Sequence, residues 1–281
     1  MFTVIIWGWT FVATKICLAY VSPLELLGLR LLIGLPVLLV IVFARRIKFD
    51  FTGQRRPLAI GSLIITLHFL IQITGIKYTS ATNTGWIIAL TPLVTAVLAF
   101  FILKEKINRN TLIGIAVATA GILFLISKGD FAHLGWLRSV GDWLVLASAH
   151  TWALYTIATR DLSRSRNPLT VIIVILIPCA IITLGTMAFT SDWSLFVHLP
   201  LRVLLALAFL GLCGTALAQW FWLIGLSKLG AAKAGVFLYI EPLATTGLAV
   251  PYLHESFGVF TAIGGGLVLF GVWYAQRKLR P

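Results

Sequence analysis

The sequence predicts an all-α integral membrane protein: ten transmembrane helices in a 5+5 inverted repeat around a central cavity. Three observations lead there. Of 281 residues, 59% are hydrophobic and 11% charged, with a mean hydropathy of +1.00; a soluble domain carries about 25% charged residues. Apolar runs of roughly 20 residues, enough to cross a hydrocarbon core about 30 Å thick, recur along the whole chain. The chain also aligns with itself. Its hydrophobicity is continuous rather than alternating at every second residue, so a transmembrane β-barrel is not expected.

The first span, 2 to 21, starts almost at Met1 without the basic stretch of a signal peptide and is expected to be retained. After the turn "YVSP" comes the second, 24 to 44, then the third, 58 to 77, the fourth, 81 to 103, and the fifth, 109 to 127. The sixth, 139 to 160, and the seventh, 168 to 190, are separated by "SRNP"; beyond "TSDWS" lie the eighth, 201 to 226, the ninth, 231 to 253, and the tenth, 257 to 276. Such short, turn-rich joints leave no room for a soluble domain. With this count, one side of the membrane holds the basic clusters at 45–56, 104–109, 160–166, 228–233 and 277–280, and the other only Lys77, Lys128, Arg138 and Arg202. The positive-inside rule then places both termini in the cytoplasm, with the protein in the cell's inner (plasma) membrane. The net charge of +13 is spent on these anchors, so no nucleic-acid partner is expected. Cys17, Cys179 and Cys213 all sit in apolar runs with no CxxC or His/Cys cluster, which predicts neither a disulfide framework nor a metal site.

Shifting the chain by 150 residues aligns 60–123 with 210–273 without a gap and gives sixteen identities, among them Gly85/Gly235, Pro92/Pro242, Glu105/Glu255, Gly114/Gly264 and Gly121/Gly271. A shift of 145 pairs Trp7 with Trp152, Thr14 with Thr159 and Pro23 with Pro168. Each repeat, 1–128 and 139–281, therefore holds five spans. Five is odd, so the second repeat must cross the membrane in the opposite sense, as in carriers that work by alternating access.

Polar and aromatic residues inside the spans are the candidate substrate contacts. Thr3, Trp7, Thr10 and Thr14 share one helical face of the first span, and Ser148, Trp152, Tyr155 and Thr159 one face of the sixth. Such a stripe lines a cavity or joins helices through hydroxyl hydrogen bonds. His68 and Gln72 lie one turn apart in the third span, and Gln219 and Trp222 occupy the matching face of the eighth. Asn83 and Trp86 open the fourth span; Lys233 and Phe237 take the corresponding level of the ninth. An interfacial belt for Trp86 and a snorkelling Lys233 are the alternatives.

Glu241 is the one acid expected at mid-membrane, where ionised side chains cost about 2.5–3.5 kcal/mol on insertion scales. It should be neutral, paired or in contact with water. Its mate Thr91 also precedes a proline, and Pro92 and Pro242 each remove a helical hydrogen bond, so the two positions mark matched breaks. The acid then holds a substrate ammonium, exchanges a proton, or bonds the backbone freed by its own kink. Lys15 and Arg30 lie near the outer ends of the first two spans, with Glu25 close enough in sequence to pair across the turn. Gly114, Gly121, Gly264, Gly265, Gly266 and Gly271 should let the fifth and tenth spans pack closely.

The segments "WGWTFVATK", "SPLELLGLRLLIG", "TPLVTAVLAFFILKEKI" and "EPLATTGLAVPYLHE" resemble those of EamA-type transporters of the drug/metabolite transporter superfamily, over the whole chain and in the same duplicated order. Within that superfamily the likeness is to aromatic amino-acid exporters of the YddG type. The resemblance implies a ten-helix 5+5 inverted fold, export of metabolites, often amino acids, and, because Lys15 and Arg30 match basic positions of the family, structural or gating roles for these two charges. Trp9 departs from it, standing where relatives carry a smaller residue.

These readings converge on an alternating-access exporter of small amphipathic metabolites, chiefly aromatic or bulky apolar amino acids, acting without a cofactor and possible as a monomer. Exporters of lipophilic cations or drugs fit the same aromatic walls. A channel or lipid scramblase is the rival from another class, although no charge repeats at matched depth in both halves. An enzyme is not expected: "HESFG" has Gly258 where a zinc HExxH motif needs its second histidine, and no GxSxG, GxGxxG or P-loop occurs.

Overall fold

The computed structural model describes residues 1–104, 109–130, 139–229, 234–235 and 237–276, and no strand occurs among them. Glu105 and Lys233 lie outside the described residues. Helix α1 (Phe2–Cys17) is followed by α2 (Pro23–Ala44), whose start is fixed by a capping box. The Ser22 N–H donates to the Glu25 carboxylate at 2.8 Å and the Glu25 N–H to the Ser22 hydroxyl at 3.3 Å. Glu25 is thus engaged at its own helix start rather than pairing with Lys15 or Arg30, because the capping geometry is local and already satisfies two orphan donors. Then come α3 (Arg55–Tyr78), α4 (Ala81–Ile88), α5 (Thr91–Leu103), α6 (Arg109–Ser127), α7 (Val140–Ser165) and α8 (Pro168–Thr190). A long helix α9 (Leu201–Leu229) contains a π-helical stretch, Leu210–Ala218. A 3₁₀ turn, Phe237–Ile240, leads into α10 (Glu241–Leu253), and α11 (Val259–Gln276) completes the described bundle.

Among the described residues, five apolar helical segments are long enough to cross a membrane: Pro23–Ala44, Arg55–Tyr78, Ala81–Ile102, Pro168–Thr190 and Leu201–Leu229. Phe2–Cys17, Leu112–Ser127 and Val259–Ala275 are shorter apolar helices. Large apolar side chains stand on the outside of the bundle, Phe189 at 93% exposure and Ile181 at 67%, as a lipid-facing surface requires. In the α2–α3 loop, the N–H and hydroxyl of Thr52 and the guanidinium of Arg166 hold Asp50 below the usual carboxylate range, and the 2.5 Å contact with Arg166 ties this loop to the end of α7.

The helix breaks fall 150 residues apart. Helix α4 stops at Ile88 and α5 restarts at Thr91 with Pro92 second; the 3₁₀ turn stops at Ile240 and α10 starts at Glu241 with Pro242 second. Thr95 donates to the Thr91 carbonyl, and Thr245 to the Glu241 carbonyl, both at 2.8 Å. In the packing, α2 meets α8, α3 meets α7, α1 meets α10 and α9, α4 meets α10, and α6 meets α11.

Glycines set the closest of these approaches. A Cβ on Gly121 would stand 2.6 Å from the Gly264 carbonyl oxygen, and one on Gly271 would stand 2.7 Å from the Gly114 carbonyl oxygen. Helices α6 and α11 therefore run antiparallel, almost backbone to backbone. Gly266 faces open space and Gly265 faces the Trp86 ring, so neither belongs to the α6–α11 seam, where only one face of α11 points. Gly121→Val should overpack the seam and lower the detergent-solubilised melting temperature, at a cost of about 1–3 kcal/mol. Gly266→Val should leave the melting temperature unchanged; equal effects would remove the seam from the account.

Candidate functional site

A cavity of about 40 Å³ lies where α1, α3, α7 and the second helix break converge. Helix α1 contributes Trp7, Thr10 and Phe11, α3 contributes His68, Phe69 and Gln72, and α7 contributes Trp152. Arg30 reaches in from α2, Ile88 from the end of α4, Gln219 from α9, Leu238 from the 3₁₀ turn and Glu241 from the start of α10. Trp7 meets Trp152 edge to face, ring centroids 5.0 Å apart, and Trp222 closes the cluster at 5.2 Å from Trp7 and 5.8 Å from Trp152. Tyr155 backs this wall, 5.3 Å from Trp152.

The polar groups divide into satisfied and unsatisfied ones. Thr10 donates to the Trp7 carbonyl of its own helix at 2.7 Å. His68 Nδ1 lies 3.1 Å from the Ser148 carbonyl oxygen and from the Thr151 hydroxyl. A carbonyl only accepts, so Nδ1 carries a proton and, in the neutral ring, Nε2 is left as an acceptor. By contrast, Gln219 Oε1, Glu241 Oε2, Tyr155 Oη and Trp222 Nε1 are buried without a hydrogen-bond partner. Gln219 is 1% exposed and Glu241 3%. Buried polar atoms normally find partners, and each orphan carries a desolvation penalty of about 1–3 kcal/mol. The Glu241 side chain makes no bond to the backbone at its own kink, while its carbonyl accepts from the Thr245 hydroxyl one turn on.

Among the candidate contacts, Trp7, Thr10, His68, Gln72, Trp152, Gln219 and Glu241 thus share one cavity, with Tyr155 and Trp222 packed behind its wall. Asn83, Trp86 and Phe237 stand apart from it. The Asn83 amide donates to Asp142 at 3.4 Å, beside a polar recess of about 800 Å³ at the α3–α4 turn. Trp86 is 5% exposed, which also removes it from a lipid-facing belt; its indole N–H donates to Thr246 at 3.0 Å and its ring covers Gly265. Phe237 is 37% exposed and Leu238 points inward instead. A 3₁₀ turn advances about 120° per residue where an α-helix advances about 100°, so the helical register assumed for this span slips by one side chain. Trp9, at 42% exposure, lies outside the cavity lining and has no bearing on its shape.

Lys15 and Arg30 take unlike positions. The Lys15 ammonium donates to the carbonyls of Ile76 at 2.9 Å, Lys77 at 3.2 Å and Thr79 at 2.5 Å, capping the C-terminal end of α3. Arg30 sits two turns inside α2 and lines the cavity; its depth from Pro23, about 10 Å at 1.5 Å per residue, was the sequence signal for this. Pro92 lies against Gly235, and Pro242 against Gly85. Phe11, Phe69, Ile88 and Leu238 carried no signal, being apolar residues in an apolar chain. Trp86→Ala should reduce stability by about 3–5 kcal/mol, the cost of a large-to-small change, while leaving the solute profile of transport intact; an altered profile would return Trp86 to the solute path.

The sequence profile of the EamA-like transporter family matches residues 1–127 and again 139–275. Uncharacterized transporter YyaM of Bacillus subtilis is 29% identical over 280 residues, 97% of this chain and 90% of the relative. An uncharacterized transporter of Archaeoglobus fulgidus is 28% identical over 285 residues, 98% of this chain and 95% of the relative. A protein of known crystal structure has the same fold, with a TM-score of 0.70 at 22% identity over 98% of this chain and 93% of its own. With two profile matches spanning nearly the whole chain and its apolar helices in place, this multi-pass membrane protein belongs to the EamA-like transporter family.

Proposed function

We propose that the chain crosses the inner membrane ten times, both termini cytoplasmic, as two oppositely oriented five-helix repeats, and exports small amphipathic metabolites by alternating access. Amino acids with aromatic or bulky apolar side chains are the solutes whose chemistry matches the lining best, in agreement with the likeness to YddG-type exporters, and the cavity of about 40 Å³ has to widen to admit one. The observation that carries this reading is the pair of buried, unpartnered acceptor oxygens, Gln219 Oε1 and Glu241 Oε2, in a cavity walled by Trp7 and Trp152. Two acceptors held in low dielectric require a donor-rich head such as an ammonium, and the indole faces accept both its charge and an apolar body.

The repeat is supported by contacts that the 150-residue shift exchanges. It carries the Gly114–Gly271 contact into Gly264–Gly121, and the Gly85–Pro242 contact into Gly235–Pro92. A carrier is favoured over a channel because a conducting pore needs a continuous aqueous path, whereas the centre here is a small aromatic-walled cavity. Lipophilic cations and drugs satisfy Glu241 and the indoles equally well and form the second reading.

Counterflow in proteoliposomes, with labelled amino acids and organic cations, separates these readings. Glu241→Gln should slow ammonium-bearing solutes roughly ten- to a hundredfold, the worth of a hydrogen bond to a charged group, about 1.5–3 kcal/mol. Unchanged counterflow in that variant would sink the assignment, and reagent accessibility placing the two termini on opposite faces would sink the ten-span topology.

A further inference from the structure

Arg30 is 4% exposed and shares the cavity with Glu241. Its Nε donates to the Thr215 hydroxyl at 2.8 Å, and its guanidinium carbon lies 4.8 Å from the centre of the Phe69 ring. No ion pair to it forms among the described residues, and neither Nη group donates to protein. A guanidinium at membrane depth that serves only the scaffold consumes its donors on carbonyls or carboxylates, since an uncompensated charge there is heavily penalised. Arg30 uses one donor of five.

Thr215 explains how the unused fork is aimed. The residue lies in the π-helical stretch of α9, and its hydroxyl proton goes to the Leu210 carbonyl five residues back at 3.0 Å. Its oxygen is then free to accept from Arg30 Nε, which fixes the guanidinium plane. The widened turn brings Thr215 up to α2 at Gly34, where a Cβ would stand 2.7 Å from the Gly211 carbonyl oxygen. π-Helical insertions are frequent at functional sites.

We propose that Arg30, positioned by Thr215, is the carboxylate subsite of this cavity, so that the transported solute is a zwitterion held between Arg30 and Glu241 rather than a lipophilic cation. The inference rests on the cavity's being the solute site. A planar fork with two parallel donors matches a carboxylate. A phosphate, larger and carrying more charge, would be opposed by the Glu241 carboxylate on the same cavity.

Three probes divide the solute into its parts: phenylalanine, 3-phenylpropionate with only the carboxylate, and 2-phenylethylamine with only the ammonium. Their affinities are measured on purified wild-type protein and on Arg30→Gln, Arg30→Lys, Thr215→Val and Glu241→Gln, with inorganic phosphate as a fourth ligand. Arg30→Gln should weaken phenylalanine and 3-phenylpropionate roughly tenfold or more and leave 2-phenylethylamine within about twofold, as loss of a charge-assisted pair requires. Arg30→Lys should recover only part of the loss, because a point charge lacks the fork. If Arg30→Gln does not fold, Thr215→Val makes the same selective prediction at smaller size. The assignment is overturned if the wild type gains no affinity from a carboxylate, if the variants weaken all three probes alike or none, or if phosphate binds better than 3-phenylpropionate. Amine binding that survives Glu241→Gln would instead refute the ammonium site and leave the Arg30 result standing.

Discussion

Inside a hydrocarbon core no water is available to satisfy a backbone amide or carbonyl, so a chain leaves helical geometry only where the freed groups face protein or a polar cavity. This chain leaves it at 89–90, at 237–240 and in the π-helical stretch 210–218. The cavity draws a side chain from beside each: Ile88, Leu238 with Glu241, and Gln219. Threonine hydroxyls at Thr95, Thr245 and Thr215 take up carbonyls at or near these places. The irregular backbone thus locates the interior of the bundle before any side chain is considered, and Gly8 lets α1 pass against the Glu241 carbonyl, where a Cβ would stand only 2.7 Å from that oxygen.

Around that interior the charges and the aromatic surface act differently. Indole faces tolerate a cation or an apolar group with little geometric demand, so on the proposed function Trp7, Trp152 and Trp222 would set size and polarity rather than identity. On the same reading, discrimination would come from groups left without partners, because a solute that fails to engage them leaves a desolvated dipole or charge behind. Glu241 Oε2, Gln219 Oε1 and the Arg30 fork are such groups. Tyr155 Oη and Trp222 Nε1, orphaned behind the wall, give the aromatic side a polar content that sequence periodicity did not disclose.

The sequence made the scaffold legible because the scaffold obeys periods. Hydropathy located the helices: α6 and α8 have the ends expected for the fifth and seventh spans, and the two X-Pro positions located the breaks. Side-chain direction was legible only within regular helix. Trp7, Thr10, His68, Gln72 and Trp152 lie on straight helices, and helical spacing put them on the right face. Phe237 lies on a 3₁₀ turn, where the assumed rotation per residue was wrong. Trp86 was misplaced for another reason: its pocket is made by Gly265 and Thr246, distant in sequence, and one helix's periodicity says nothing about which neighbour will have room. Arg30 was read as a structural or gating charge from its place near the outer end of the second span and from the resemblance, yet an arginine side chain reaches several ångströms beyond its Cα and followed Thr215 inward.

Symmetry in the scaffold and asymmetry in the site have different physical consequences. Alternating access needs two arrangements separated by a few kcal/mol at most. On the proposed topology, glycine and proline contacts exchanged by the 150-residue shift give both arrangements nearly the same packing, so neither is favoured by the scaffold itself. The cavity does not obey the shift: Glu241 corresponds to Thr91, His68 to Ala218 and Gln219 to Phe69, while Arg30 corresponds, at the shift of 145, to Ile175. Among the lining residues Trp7 and Trp152 are mates at the shift of 145, and the apolar Ile88 and Leu238 are mates at the shift of 150. On the proposed function, a solute would meet paired apolar walls but a single polar orientation.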